Sequence, residues 1–141
     1  MPSLKKSTRK NYLPKRTAQT RVVDNSRIYK SQKWTKLSLS VRKEQKICPI
    51  EKAVTGFPIQ VMFDREGVCD HIIPMIHGGA EYDKRNLIGM SRKWHDKKSG
   101  LEATMGALVG WKYNEDGDKI PRRREDIIDF FVDKYGTKEA E

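Results

Sequence analysis

Val68-Cys69-Asp70-His71-Ile72-Ile73-Pro74 sets a carboxylate beside an imidazole in a short apolar run that stops at a proline. Such a run reads as a β-strand, and the proline is a reason for it to end there. Downstream stand the Gly78-Gly79 turn, then Asn86-Leu87-Ile88 as a second short strand, then Trp94-His95-Asp96-Lys97-Lys98 in a helix for which Ser91 is the N-cap. Strand, loop, strand and helix make a compact ββα unit whose two ends, Asp70 and His95, can converge on one ion. Successive strand side chains point to opposite faces, so Asp70 and His71 flank one substrate only if the strand twists or ends at this place.

A carboxylate and an imidazole with open coordination positions suit a divalent cation that keeps room for waters and a substrate oxygen. Mg²⁺ or Mn²⁺ is the natural ion, and the imidazole also admits Ni²⁺, Co²⁺ or Zn²⁺. The second histidine is then available as a base, since an imidazole with its ordinary pKa near ~6.5 takes a proton from water at neutral pH. Asn86 can hold the loop in shape by bonding backbone groups, or simply start the second strand. His77 could touch DNA or metal, or be one more solvated loop histidine.

Asp70-His71-Ile72-Ile73-Pro74, Gly78-Gly79, Asn86-Leu87, and His95 with Lys98 three positions later occur in the order and spacing that resembles the HNH family of nucleases. With Ile28-Tyr29-Lys30-Ser31 and Trp34 included, the resemblance runs from about Arg27 to Lys98 and is similar to small phage-type members. It implies an α+β fold, with a ββα-metal (His-Me finger) core flanked by N- and C-terminal helices. It implies a metal-dependent DNA endonuclease in which Asp70 and His95 hold the ion, His71 is the base, and Asn86 orients the His71 loop. His71, Asn86 and His95 are thus the catalytic set, and the products carry 5′-phosphate and 3′-hydroxyl ends.

Many members of that family carry a zinc knuckle built from two Cys-x-x-Cys pairs. In this chain Cys48 is followed three positions later by Glu51, and the second pair is replaced by Ser91 and Trp94. One thiol cannot make a tetrahedral structural zinc site, so no structural zinc is expected. Trp94, with Ile50, Phe57 and Phe63, is expected to fill that place by apolar packing. Cys69 reads as a small buried hydrophobe.

The net charge of +10 is uneven: residues 1–46 hold 14 Lys/Arg against Asp24 and Glu44, giving +12, and the remaining 15 against 17 give −2. A block of that sign neutralises phosphates and releases their counterions, which gives salt-dependent affinity for nucleic acid with little sequence preference. Residues 1–25 read as a basic disordered tail, 26–113 as the nuclease domain, and 114–141 as a loop and an amphipathic helix. Lys30, Lys33, Lys36, Arg92, Lys97 and Lys98 are the expected DNA contacts, with an ordinary solvated face as the plain alternative. No apolar run approaches the ~18 residues of a membrane span, the N-terminus is not a secretory signal, and two cysteines suit a reduced cytoplasmic setting.

The remaining elements are a helix from about Ser31 to Lys46 burying Trp34 and Leu37, a loop from Ile47 to Pro58, and a short strand from Ile59 to Phe63. The site helix is expected to be interrupted at Gly100. A helix-like set follows in Leu101 to Tyr113, then a polar turn at 114–118. A last helix starts at Pro121 and stops at Gly136. Beside DNA, the resemblance admits phage terminase or packaging proteins and a homodimer as partners, one active site per chain favouring nicking or a dimer for double-strand cuts. The competing reading is a non-catalytic nucleic-acid-binding module or an accessory factor of a phage packaging machine.

Overall fold

The computed structural model describes residues 26–136, so the expectation for the tail at 1–25 lies outside the described residues. The chain divides into two compact units, Met1–Ser31 and Gln32–Glu141. In the first, the described part is a short helix α1 (Ser26–Tyr29), closed by Ser31, whose hydroxyl donates to the Ile28 carbonyl at 2.7 Å.

The second unit is mixed α and β. In order it carries α2 (Gln32–Gln45), α3 (Pro49–Thr55), β1 (Gly67–His71), β2 (Leu87–Ser91), α4 (Arg92–Met105), β3 (Trp111–Tyr113), β4 (Lys119–Pro121) and α5 (Arg124–Tyr135). Strands β1 and β2 pair antiparallel, from Gly67 opposite Ser91 to His71 opposite Leu87. Every residue of β2 is buried because helices cover both faces of this hairpin.

The strand alternation decides which residues meet which helix. Cys69 and Leu87 turn toward α2 and join Trp34, Val41 and Leu37 in a small cluster. Val68, Ile72, Ile88 and Met90 turn the other way and pack with Ile50, Trp94, Val109, Ile127 and Phe131 from α3, α4, the 3₁₀ turn Gly106–Val109 and α5. Asp70 is thereby directed to the α4 side and His71 to the α2 side. Strand β1 ends at His71, three residues before Pro74, in keeping with the stop that the proline predicts.

Between the strands the loop is folded on itself. Gly78 has φ +92°, the left-handed region that favours glycine. At Gly79 a Cβ would lie 1.7 Å from the Ile73 carbonyl oxygen, so the backbones can approach only because no side chain is there.

Several elements differ from expectation. The Ile47–Pro58 loop contains α3, with Pro49 in its first turn and Cys48 as N-cap, its Sγ accepting from the Glu51 N–H at 3.4 Å. The strand expected over Ile59 to Phe63 is reduced to a single bridge between Ile47 and Gln60. Helix α4 runs through Gly100 without a break, since the roughly 1 kcal/mol that an exposed glycine costs is outweighed by packing on either side of it. Trp111–Tyr113 is strand instead of helix, and it pairs with Lys119–Pro121 through a turn in which Asn114 Oδ1 accepts from the Asp116 and Asp118 N–H groups. That hairpin crosses the expected boundary at 113/114. Pro121 closes β4, and α5 starts at Arg124, where the Asp126 carboxylate accepts from the Arg123 N–H at 2.8 Å. No described helix is long and apolar enough to cross a membrane.

Candidate active site

Asp70 at the end of β1 and His95 in the first turn of α4 come together: Oδ1 of Asp70 lies 3.6 Å from Nε2 of His95. Two ligands each about 2.1 Å from one ion stand about 3–3.5 Å apart, so the pair needs only a small inward adjustment to share a divalent cation. The His95 side chain is 38 % exposed and that of Asp70 17 %, which leaves the pair open to solvent on one side. Among the described residues no third His, Cys, Asp or Glu, His77 included, completes a metal-holding group here. An ion held by two protein ligands keeps its other positions for water and a substrate oxygen.

Asp70 is held from behind. Its Oδ2 is buried and accepts no hydrogen bond, yet it lies 2.8 Å from Lys98 Nζ, an ion-pair contact off the line of a hydrogen bond. Lys98 is 1 % exposed and also donates to the His71 carbonyl at 2.9 Å and to the Glu102 carboxylate. Burial pulls the Lys98 ammonium down, but the Asp70 and Glu102 carboxylates more than offset it and hold its pKa above the ordinary lysine value. For Glu102 burial dominates, with Asp70 adding to it, and the net shift is upward despite Lys98. The sequence expects Lys98 to contact a phosphate; in the structure it is turned inward instead. Its four-carbon stem carries the charge inward, where two carboxylates require it.

His71 occupies the other face. Its Nε2 lies 2.9 Å from the Glu81 carbonyl. A carbonyl can only accept, so Nε2 carries the proton and the basic lone pair is on Nδ1. The Trp34 ring of α2 stacks on the imidazole, with centroids 4.8 Å apart and planes inclined by 16°, and His71 is only 3 % exposed.

Asn86 fixes the loop between the two histidine-bearing elements. Its Oδ1 accepts from the Ile73 N–H at 2.8 Å, and its Nδ2 donates to the Ile73 and Ala80 carbonyls at 3.0 Å each. Only Gly79 leaves room for this amide. The Trp111 indole N–H adds a bond to the His77 carbonyl at 3.0 Å, tying the loop to β3.

The remaining basic residues are placed as follows. Lys30 is exposed and belongs to the first unit. Lys33 and Lys36 are exposed on α2, with the Lys33 ammonium 4.0 Å from the centre of the Tyr82 ring. Arg92 is exposed but donates to the Asp64 and Arg65 carbonyls. Lys97 is exposed, 4.9 Å from the Tyr135 ring centre. The sequence reading missed Lys84, Arg85, Arg123 and Arg124, which with Glu44 and Glu125 line a cleft of about 420 Å³. It adjoins the site, since Arg124 Nε donates to the carbonyl of Leu87, the residue paired with His71.

Three of the four positions that correspond to a zinc knuckle, Cys48, Glu51 and Trp94, meet around different chemistry. The Trp94 indole N–H donates to the buried Glu51 carboxylate at 2.5 Å, Thr55 donates to the same carboxylate at 2.7 Å, and Cys48 caps the helix that carries it. Trp94 and Ile50 are buried as expected, while Phe57 and Phe63 are 66 % and 58 % exposed and take no part. Ser91 stands at the N-cap position of α4, but its buried hydroxyl makes no capping bond. Burial beside Asp70 pushes the Cys69 thiol up to about 12, which keeps it neutral and unreactive.

Two participants were not foreseen. Trp34 was read as core, and nothing in its spacing announces a ring stacked on His71. Glu102 was legible in principle, because Lys98 and Glu102 stand four apart on one helix face. No protein-family model matches the chain, and no match is found among curated proteins or solved structures.

Proposed function

We propose that the chain is a metal-dependent DNA endonuclease with a ββα-metal core of the HNH type. The observation that carries this reading is the convergence of Asp70 and His95 at 3.6 Å from a strand end and a helix start. The donor set fits a hard or borderline divalent ion: one carboxylate oxygen, Asp70 Oδ1, one imidazole nitrogen, His95 Nε2, and partial exposure on the side they share. When bound, Mg²⁺ or Mn²⁺ would supply Lewis-acid stabilisation to the scissile phosphate and the leaving 3′ oxygen.

The chain's own residues do the rest. His71 Nδ1 accepts the proton of the attacking water, while the Glu81 carbonyl on Nε2 keeps the ring in that tautomer and steadies the imidazolium that forms. Asn86 holds the Ile73–Ala80 loop, so that the Glu81 carbonyl stays in place. Lys33, Lys36 and Lys97 supply backbone phosphate contacts, and these read charge instead of base edges. Cutting yields 5′-phosphate and 3′-hydroxyl ends. Phage packaging proteins and a second copy of the chain, working in the host cytoplasm, are the partners this reading admits.

The burial of His71 beneath Trp34 favours a second reading, a non-catalytic nucleic-acid-binding module. Supercoiled plasmid incubated with the protein and Mg²⁺ or Mn²⁺, with a chelator control, separates them. The nuclease reading expects metal-dependent open-circular product ahead of linear product. Salt-sensitive DNA binding with no cutting in any ion would establish the binding module instead.

A further inference from the structure

Lys98 is only 1 % exposed, and its ammonium is ringed by three oxygens from two elements. Strand β1 supplies Asp70 Oδ2 at 2.8 Å and the His71 carbonyl at 2.9 Å, and α4 supplies the Glu102 carboxylate one turn from the lysine itself. Two carboxylates and a backbone carbonyl around one point are the donor set of a hard cation. Here the point is filled by the chain's own ammonium.

We infer that Lys98 is a built-in cation occupying a second ion position beside the Asp70–His95 pair. It limits the chain to one exchangeable divalent ion and holds Asp70 with Oδ1 turned toward His95. The exchangeable ion rests on the nuclease reading, whereas the three-oxygen cage does not. Asp70 links the two positions, since its two oxygens serve one each. The local charge agrees: two carboxylates against one ammonium leave one negative charge, which an ion on the open side meets. An ammonium on a short tether is never lost by dissociation, so Asp70 stays oriented whether or not a divalent ion is present. Lys98 is then a positioning residue that acts through Asp70.

The test counts ions. Mn²⁺ alone is titrated into the natural chain, Lys98→Ala, and Lys98→Ala combined with Glu102→Gln, with free Mn²⁺ followed by electron paramagnetic resonance. Lys98→Ala should bind one more ion than the natural chain, and the double variant should lose that extra ion. If Lys98→Ala has no helical signal by itself, millimolar Mn²⁺ should restore it. An unchanged ion count, or an unfolded variant that Mn²⁺ does not rescue, overturns the inference and leaves Lys98 as an ordinary buried ion pair. A natural chain that binds no Mn²⁺ while Lys98→Ala binds one removes support for the nuclease reading and keeps this one. One ion in both does the reverse.

Discussion

Helix α4 takes part in two clusters that treat a carboxylate in opposite ways. On one side His95, Lys98 and Glu102 gather around Asp70, and charge is concentrated at a partly open edge. On the other, Trp94 reaches the buried Glu51 of α3, and aromatic rings of α5 close over the contact, with Phe131 and Tyr135 centred 5.6 and 5.4 Å from the Trp94 ring. Glu51 is desolvated, but hydrogen bonds from Thr55 and Trp94 and the charge of Lys93 outweigh this and hold its pKa below the ordinary value. Glu102 is desolvated too, and there burial wins. A desolvated carboxylate thus keeps a lowered pKa where Thr55 and Trp94 hydrogen-bond it beside Lys93, and a raised one where burial outweighs the ammonium it shares with Asp70. Where the zinc knuckle of the resembling family would stand, this chain uses the first arrangement.

The contrast can be broken at either end, and the largest effect is expected at the anchor. Trp94→Ala should cost about 3–5 kcal/mol in urea unfolding, because it empties a fully packed position and strands Glu51. Trp94→Phe, which keeps the ring and loses the donor, should cost about 1–3 kcal/mol. Next is the loop clamp. Asn86→Ala removes three hydrogen bonds, two of them buried, and should lower stability by about 2–4 kcal/mol, at roughly 1 kcal/mol per bond.

At the open site the order of effects reverses. His95→Ala should change stability by less than about 1 kcal/mol, since its side chain is 38 % exposed. Its Mn²⁺ affinity by calorimetry should nevertheless fall about tenfold or more. Acid separates the clusters in a different way. Glu51 has a folded pKa below its unfolded value near 4.5, so its contribution is present above pH 4.5 and is lost as pH falls through the folded value. Glu51→Gln should therefore flatten the acid arm of the stability–pH curve, and an unchanged arm would count against the anchor. The smallest effect is expected at Cys48→Ser. A hydroxyl caps α3 as the thiol does, so stability should stay within about 1 kcal/mol and be indifferent to chelators.

Strands β1 and β2, the start of α4 and helix α2 are legible because their periodicities are plain: Asp70-His71 in an alternating run, and Trp34, Leu37 and Val41 at helical spacing. The convergence of Asp70 with His95 followed from the ββα order alone. Less was visible where short elements rest on tertiary contacts. Helix α3 has only seven residues, and it exists because Cys48 caps it and α5 packs on it, neither of which local pattern reveals. Trp111–Tyr113 carries apolar residues at a spacing compatible with helix, and only its pairing with Lys119–Pro121 makes it strand. Sequence pattern alone puts Lys98 at the surface, where lysines usually are. Its burial depends on two carboxylates distant and near in sequence, Asp70 and Glu102, meeting at one point. The stack of Trp34 on His71 had no sequence signal at all.

If His71 is the base of a metal-dependent cut, as proposed, single-turnover cleavage of end-labelled duplex DNA depends on it. Natural protein and His71→Ala would be compared at saturating Mn²⁺, with a gel shift confirming that both bind the duplex. Metal-dependent cutting should fall by about 10²–10⁴-fold in His71→Ala while DNA binding is retained. Cutting by His71→Ala at the natural rate would contradict it.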